Sequence, residues 1–204
     1  MERMTDLMAL DIETGNYSWE IGGWNKTTLF EPVVVATWDG NDSHVFTNEE
    51  VSFDDIIVHP LHPRDLGEHL EKHVEKGGKI IGHNLLTFDL PILKNALDCH
   101  YAGVLLGKRD AVIDTARVLS SAIGNRIPLD DVCKHTLGQG KGMMDSMSAP
   151  IAWRNGEYEK VSKYCVDDCK LVYDLWNAGC ADGIIKTRDM KSGNIIEVEV
   201  EWND

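Results

Sequence analysis

A mixed α/β fold, with a central β-sheet flanked by α-helices and a C-terminal β-hairpin, is predicted by three features of the sequence. Strand-like runs come first, at residues 8–13, 32–38 and 43–47. Helical and strand-like segments then alternate from residue 65 to residue 178, and an alternating pattern closes the chain at residues 184–202. Residues 1–180 are assigned to one domain and residues 181–204 to a hairpin extension of it. A chain of 204 residues suffices for one full core.

The first strand is read from Met8, Leu10 and Ile12 alternating with Ala9, Asp11 and Glu13. Residues 32–38 are β-branched, and Asp39-Gly40-Asn41-Asp42 turns them into residues 43–47, so the opening third is a meander. A helix follows over residues 65–76, with Leu66, Leu70 and Val74 on one stripe and Gly77-Gly78 ending it. Residues 79–82 form a short strand. The next helix spans residues 88–98, with Thr87 as its cap and Pro91 in its first turn. A strand at residues 111–113 leads into a helix over residues 114–122, with Asp114 as its N-cap. A further helix spans residues 129–137 and is closed by Gly138. Residues 138–156, rich in Gly, Met and Ser, read as flexible. The long helix covers residues 157–178, and the closing hairpin turns at Lys191-Ser192-Gly193-Asn194, where it is expected to cap a sheet edge.

With 20 basic and 34 acidic residues the net charge is −14, which excludes a broad phosphate-gripping surface. Any nucleic-acid contact must be local, metal-assisted or helped by a partner. No apolar run is long enough to span a bilayer, and Met1-Glu2-Arg3-Met4-Thr5-Asp6 lacks a signal-peptide pattern. A cytoplasmic protein without membrane association is expected. Five cysteines in no framework spacing agree with free thiols.

The acids carry the functional signal. In a strand, Asp11 and Glu13 share a face with Cα atoms about 6.5 Å apart, close enough to converge on one cation. The competing reading is a strand running out into an acidic turn at Thr14-Gly15-Asn16, and this stretch alone leaves both open. On the long helix, Tyr158, Val161, Cys165, Leu171, Val172, Leu175 and Trp176 form an apolar stripe with Asp168 in its middle, whereas Asp167 and Asp174 fall outside it. A carboxylate there needs a partner. Tyr164, one turn earlier, can reach the same place, so a functional pair competes with a buried Asp–Tyr hydrogen bond. Asp89 sits in a first helical turn, where complementing the helix dipole is explanation enough by itself. Together Asp11, Glu13, Asp89 and Asp168 form a four-carboxylate set of the kind that holds two hard cations.

Here the sequence resembles a known family. Asp11-Ile12-Glu13 looks like the first motif, Asn84 to Asp89 the second in its N-x-x-x-F-D form, and Tyr164 to Asp168 the third in its Y-x-x-x-D form, of the tyrosine-type DEDD 3′–5′ exonucleases. This is the proofreading-exonuclease branch of the ribonuclease H-like superfamily. The histidine variant would have His where this chain has Lys163. The resemblance implies a ribonuclease H-like fold and release of nucleoside monophosphates with two divalent cations, Mg²⁺ or Mn²⁺. It further implies that Asp11 and Asp168 hold one ion beside a water oriented by Tyr164, and that Glu13 completes that ion's surroundings. Asp11 would mainly hold the second ion, and Asp89 would act partly through a bound water. Thr14 would form the rim that receives the 3′ end, and Asn84, which opens the second motif, would bind substrate with it. Leu85, Leu86 and Phe88 either wedge against a terminal base or pack in the core.

Other groups carry weaker signals. The cluster of His59, His62, His69 and His73 reads as partly exposed helix surface, with too few ligands for zinc. Cys165 and Cys169 read as core thiols. Gly138-Gln139-Gly140-Lys141-Gly142 is not a P-loop, and Lys141 reads as solvated. The function expected is a metal-dependent exonuclease on single-stranded or frayed 3′ ends, DNA ahead of RNA, with a polymerase, helicase or other replication or repair protein as a possible partner. A structure-selective or endonucleolytic nuclease, and a non-catalytic nucleic-acid-binding subunit, are the alternatives.

Overall fold

In the computed structural model, residues 6–140, 142 and 144–202 are described. Strands β1 (Leu7–Thr14), β2 (Pro32–Trp38), β3 (Ser43–Thr47), β4 (Ile56–His59), β5 (Lys79–Gly82) and β6 (Val112–Asp114) form one sheet, ordered β4-β3-β2-β1-β5-β6. Only β2 runs against the rest, so the sheet is mixed: β1, β2 and β3 pair antiparallel in series, while β3–β4, β1–β5 and β5–β6 are parallel. Helices α1 (Pro63–Glu75), α2 (Asp89–Asn95) and α3 (His100–Gly107) cover one face. The other face carries α4 (Thr115–Ile123), α5 (Leu129–Leu137), α6 (Ala149–Arg154) and α7 (Tyr158–Asp182). A separate hairpin, β7 (Ile184–Arg188) with β8 (Ile195–Glu199), closes the chain.

The side-chain alternation of β1 divides the core. Met8, Leu10 and Ile12 pack with Leu66, Leu70, Leu90 and Leu93 on the α1–α3 face. Leu7 and Ala9 join Val34, Ala36, Val161, Cys165 and Val172 on the α7 face. By the same two-residue period, Asp11 and Glu13 are committed to the face that α7 covers. The Cys169 thiol donates to the Ala36 carbonyl at 3.3 Å, which brings α7 directly onto β2.

Several sequence expectations are corrected. The helix expected over residues 88–98 stops at Asn95, because Asp98 takes a positive φ of 61°, and the chain restarts as α3. Thr87 does not cap α2; its hydroxyl donates to the Asn84 side chain, and Phe88 stands at the cap position. Residues 149–154, read as part of a flexible stretch, form α6, with Pro150 in the first turn, where a missing N–H costs nothing. Lys141 lies outside the described residues. Helix α7 runs on to Asp182 through Gly179, whose missing side chain is needed: a Cβ there would lie 2.6 Å from the Trp202 Cε2 atom. The hairpin docks on α5 and does not cap a sheet edge. Thr136 Oγ1 donates to the Lys186 carbonyl at 2.9 Å, and Asp131 accepts from the Thr187 hydroxyl at 2.9 Å and the Arg188 N–H at 2.8 Å. Among the described residues no helix is long and apolar enough to cross a membrane.

His59 and His69 are half-buried and His62 is exposed, in keeping with the partly exposed surface expected, while His73 departs from it; β4 brings His59 alongside β3. His44 and His59 share a hydrogen bond of 2.9 Å, His69 Nε2 meets Thr37 Oγ1 at 2.9 Å, and His73 is buried. Burial, and then the charges of His44 and His59, lower the His69 pKa from 6.5 to about 4. In that window the unfolded chain takes up a proton that the folded chain refuses, so stability falls as the pH falls through it. Asp89, described below, is shifted upward and acts in the opposite sense, so the contribution of His69 must be read as a difference. His69→Gln is expected to lose roughly 2–3 kcal/mol less than the wild type between about pH 7 and pH 4 in urea unfolding. Equal losses would contradict this assignment.

Candidate metal centre

Strand β1 delivers Asp11 and Glu13 opposite Ala36 and Val34 of β2, just before its register with β2 shifts between Glu13 and Thr14. Helix α7 delivers Asp168 to the same face. One oxygen from each of Asp11, Glu13 and Asp168 lies within 4.8 Å of the others; Asp11 is partly accessible, while Glu13 and Asp168 are buried. Three carboxylates gathered this closely at a core boundary form a group that could hold a metal ion.

Two thiols lie close to these acids. Cys165 Sγ lies 3.4 Å from both the backbone oxygen and Oδ2 of Asp11. Burial and the Asp11 charge push the Cys165 and Cys169 thiols well above their usual range, so both stay protonated. They are core thiols, as the sequence indicated. The ligand atoms that the fold gathers are all carboxylate oxygens, a set that would suit Mg²⁺ or Mn²⁺ better than a soft metal.

Asp89 stands beside Asp11 without joining the three-oxygen cluster. It opens α2, is buried, and accepts from its own N–H and from that of Ile12. Burial first, and then Asp11, push its carboxyl well above the usual carboxylate range. Its helix-start position explains the backbone bonds, and its nearness to Asp11 links it to the cluster. Tyr164 is buried one turn before Asp168 on α7.

A cleft of about 470 Å³ opens over these acids. Asp11, Glu13 and Asp89 line it, together with Thr14, Asn84 and Phe88; Asp168, Tyr164 and Leu85 do not. Leu85 is fully buried, since Gly82, whose Cβ would lie 2.8 Å from the Leu10 carbonyl oxygen, lets the following turn fold back over β5. Of its two sequence readings, core packing holds. The Thr14 hydroxyl donates to the Asn16 carbonyl at 3.0 Å. Asn84 takes a positive φ of 79°, and its N–H donates to Asp114 at 2.9 Å, as does that of Leu86. Asp114 also caps α4 through Arg117 N–H, so its expected role is confirmed and widened: one carboxylate fixes both the helix and the second-motif turn.

Sequence reasoning missed three groups of cleft residues. His83 bridges Thr115 Oγ1 at 3.0 Å and the Ile127 carbonyl at 2.8 Å. Arg126 and Met147 come from the opposite wall, and Tyr17, Trp19 and Trp24 from the β1–β2 connection. Indoles in a Gly-rich, polar connection were the available signal for the last group. Arg154 on α6 locks the walls together, donating to the Gly15 carbonyl at 2.9 Å and to Glu20 at 2.9 and 2.6 Å. That guanidinium, with the Tyr17 N–H, lowers the Glu20 pKa to about 2.

No protein-family model matches the chain, and no curated protein matches it.

Without divalent ions, Asp89→Asn removes a disfavoured buried acid. It is expected to raise stability by about 1 kcal/mol in EDTA. In Mn²⁺ the wild type should gain more than the variant, about 2.7 kcal/mol at a hundredfold excess over Kd. Thermal melts with and without Mn²⁺ read both effects. A variant less stable in EDTA, with an undiminished response to Mn²⁺, would contradict the placement of Asp89.

Proposed function

We propose that this protein is a metal-dependent 3′–5′ exonuclease with a ribonuclease H-like fold, removing nucleoside monophosphates from single-stranded or frayed ends, DNA ahead of RNA. One observation carries the reading: Asp11 and Glu13 from the central strand and Asp168 from the last long helix meet within 4.8 Å beneath a nucleotide-sized cleft. The order of the three acidic motifs along the chain supports it, and so does the mixed sheet flanked by helices.

Asp11, Glu13 and Asp168 would hold divalent cations, with Asp89 beside them. Bound there, such ions neutralise charge at the scissile phosphate and make a coordinated water a nucleophile near neutral pH. Asp11 is the acid through which the others connect, being clustered with Glu13 and Asp168 and adjacent to Asp89. The raised carboxyl of Asp89 can give up its proton when positive charge arrives, so cation uptake should release protons. Tyr164 is assigned to orienting the attacking water. Because it is buried and outside the cleft lining, its effect is expected to be smaller than that of the acids.

With 5′-labelled single-stranded DNA and Mg²⁺ or Mn²⁺, the wild type is expected to give a ladder shortening from the 3′ end, and nothing in EDTA. Asp11→Ala and Asp168→Ala should fall to background while keeping the wild-type far-UV circular dichroism. Tyr164→Phe should lose about a hundredfold or less. Cleavage of circular single strands would favour the endonucleolytic reading, and full activity of both alanine variants would refute the site.

A further inference from the structure

The β1–β2 connection is a built platform. Gly15 N–H donates to the Glu31 carbonyl at 2.8 Å, the Asn16 side chain bridges the Leu29 carbonyl at 2.9 Å and the Glu31 N–H at 3.1 Å, and Gly23 N–H closes on Ser18 at 2.7 Å. The Tyr17 hydroxyl reaches across to the Met147 carbonyl at 2.5 Å, and Arg154 lies over the Tyr17 ring at 5.6 Å. On this frame Trp19 stacks on Tyr17 with ring centroids 4.1 Å apart and planes 12° from parallel. Trp24 stands edge-on to Phe88 at 5.6 Å, and Phe88 packs in turn on Phe30.

Both indoles nevertheless face solvent, Trp19 at 58% and Trp24 at 62% exposure, and no other strongly exposed large hydrophobic residue among those described is aromatic. Leaving two such surfaces in water forgoes burial worth about 1.5–3 kcal/mol for a large apolar side chain. The two lie in the lining of the cleft that contains Asp11, Glu13 and Asp89. The chain carries a net charge of −14, so a negatively charged ligand gains little from long-range attraction. A ligand suited to the place has flat π-faces for the indoles and a phosphate for cations held by the acids.

We propose that Trp19 and Trp24 form a stacking shelf for unpaired nucleobases next to the scissile phosphate, and that stacking, not phosphate neutralisation, supplies most of the affinity. The inference rests on the nuclease reading for the identity of the ligand and goes beyond it in naming what holds the strand. Stacking is tolerant of base identity, so binding should be sequence-independent. Bases inside a duplex already have both faces covered, so a blunt duplex is excluded until its end frays.

The test uses the full chain in Mg²⁺ with a fluorescent oligothymidylate whose 3′-terminal linkages are phosphorothioates that resist cleavage. Trp19→Ala and Trp24→Ala are each expected to weaken binding by about tenfold or more. The corresponding Phe variants should retain most of the affinity. Raising KCl sixfold should weaken wild-type binding by less than about fivefold, where six phosphate contacts would cost more than about a thousandfold. A blunt duplex of equal length should bind at least about tenfold more weakly than the single strand. Unchanged affinity in both alanine variants would overturn the shelf. So would a steep salt slope, or indole-dependent self-association without any change in oligonucleotide affinity. Cleavage of the unmodified strand is scored separately: its absence together with indole-dependent binding refutes the nuclease and keeps the shelf, whereas cleavage with an indole-independent KM refutes the shelf alone.

Discussion

Three carboxylates share one small volume because two periodicities intersect there. The two-residue repeat of β1 sends Asp11 and Glu13 toward α7, and the helical repeat of α7 turns Asp168 toward β1. Neither element can relieve the crowding without surrendering its own core contacts: Leu7 and Ala9 on one side, and Val161, Cys165 and Val172 on the other. The surroundings raise the cost further. Cys165 beside Asp11 is held as a neutral thiol, and Asp89 is pushed toward its protonated form. If divalent cations bind there as proposed, they would add to the stability of the folded state.

The rest of the molecule arranges access to that centre. Parallel β1, β5 and β6 end on the same side of the sheet, and the turn after β5 is pinned by Asp114, so Asn84 and Phe88 face the cleft while Leu85 goes to the core. Across from them, Arg154 ties the β1–β2 connection to α6 through Gly15 and Glu20. This exposed ion pair is expected to contribute little to stability. Its consequence is geometric, since it sets the orientation of the wall that carries Tyr17 and the two indoles.

Much of this was legible in the sequence where a strong period was present. The alternation of β1, the β-branched β2 and the stripe of α7 located the sheet core and three of the acids, because burial on one face leaves a repeat that can be counted. Elements held by tertiary contact left weaker marks. Strand β4 is four residues long with Ile57 and Val58 exposed, so no alternating apolar face announces it. Helix α6 is a short helix in a segment whose composition reads as loop. The stacking of His44 on His59 depends on β4 lying beside β3, and could not be read before that pairing was known. At the centre, spacing showed that Asp11, Glu13 and Asp168 could converge. That Asp89 stays beside the cluster, and that Tyr164 is buried away from the cleft lining, follow from how α2 and α7 pack.

The central claim is that Asp11, Glu13 and Asp168, with Asp89 adjacent, hold divalent cations. Anomalous diffraction from crystals grown in Mn²⁺ tests it most directly. The account predicts manganese peaks among these carboxylates, two of them roughly 4 Å apart, and their loss in Asp11→Asn crystals grown the same way. Well-ordered acids with no anomalous peak between them at saturating Mn²⁺, or peaks only elsewhere on the protein, would contradict it.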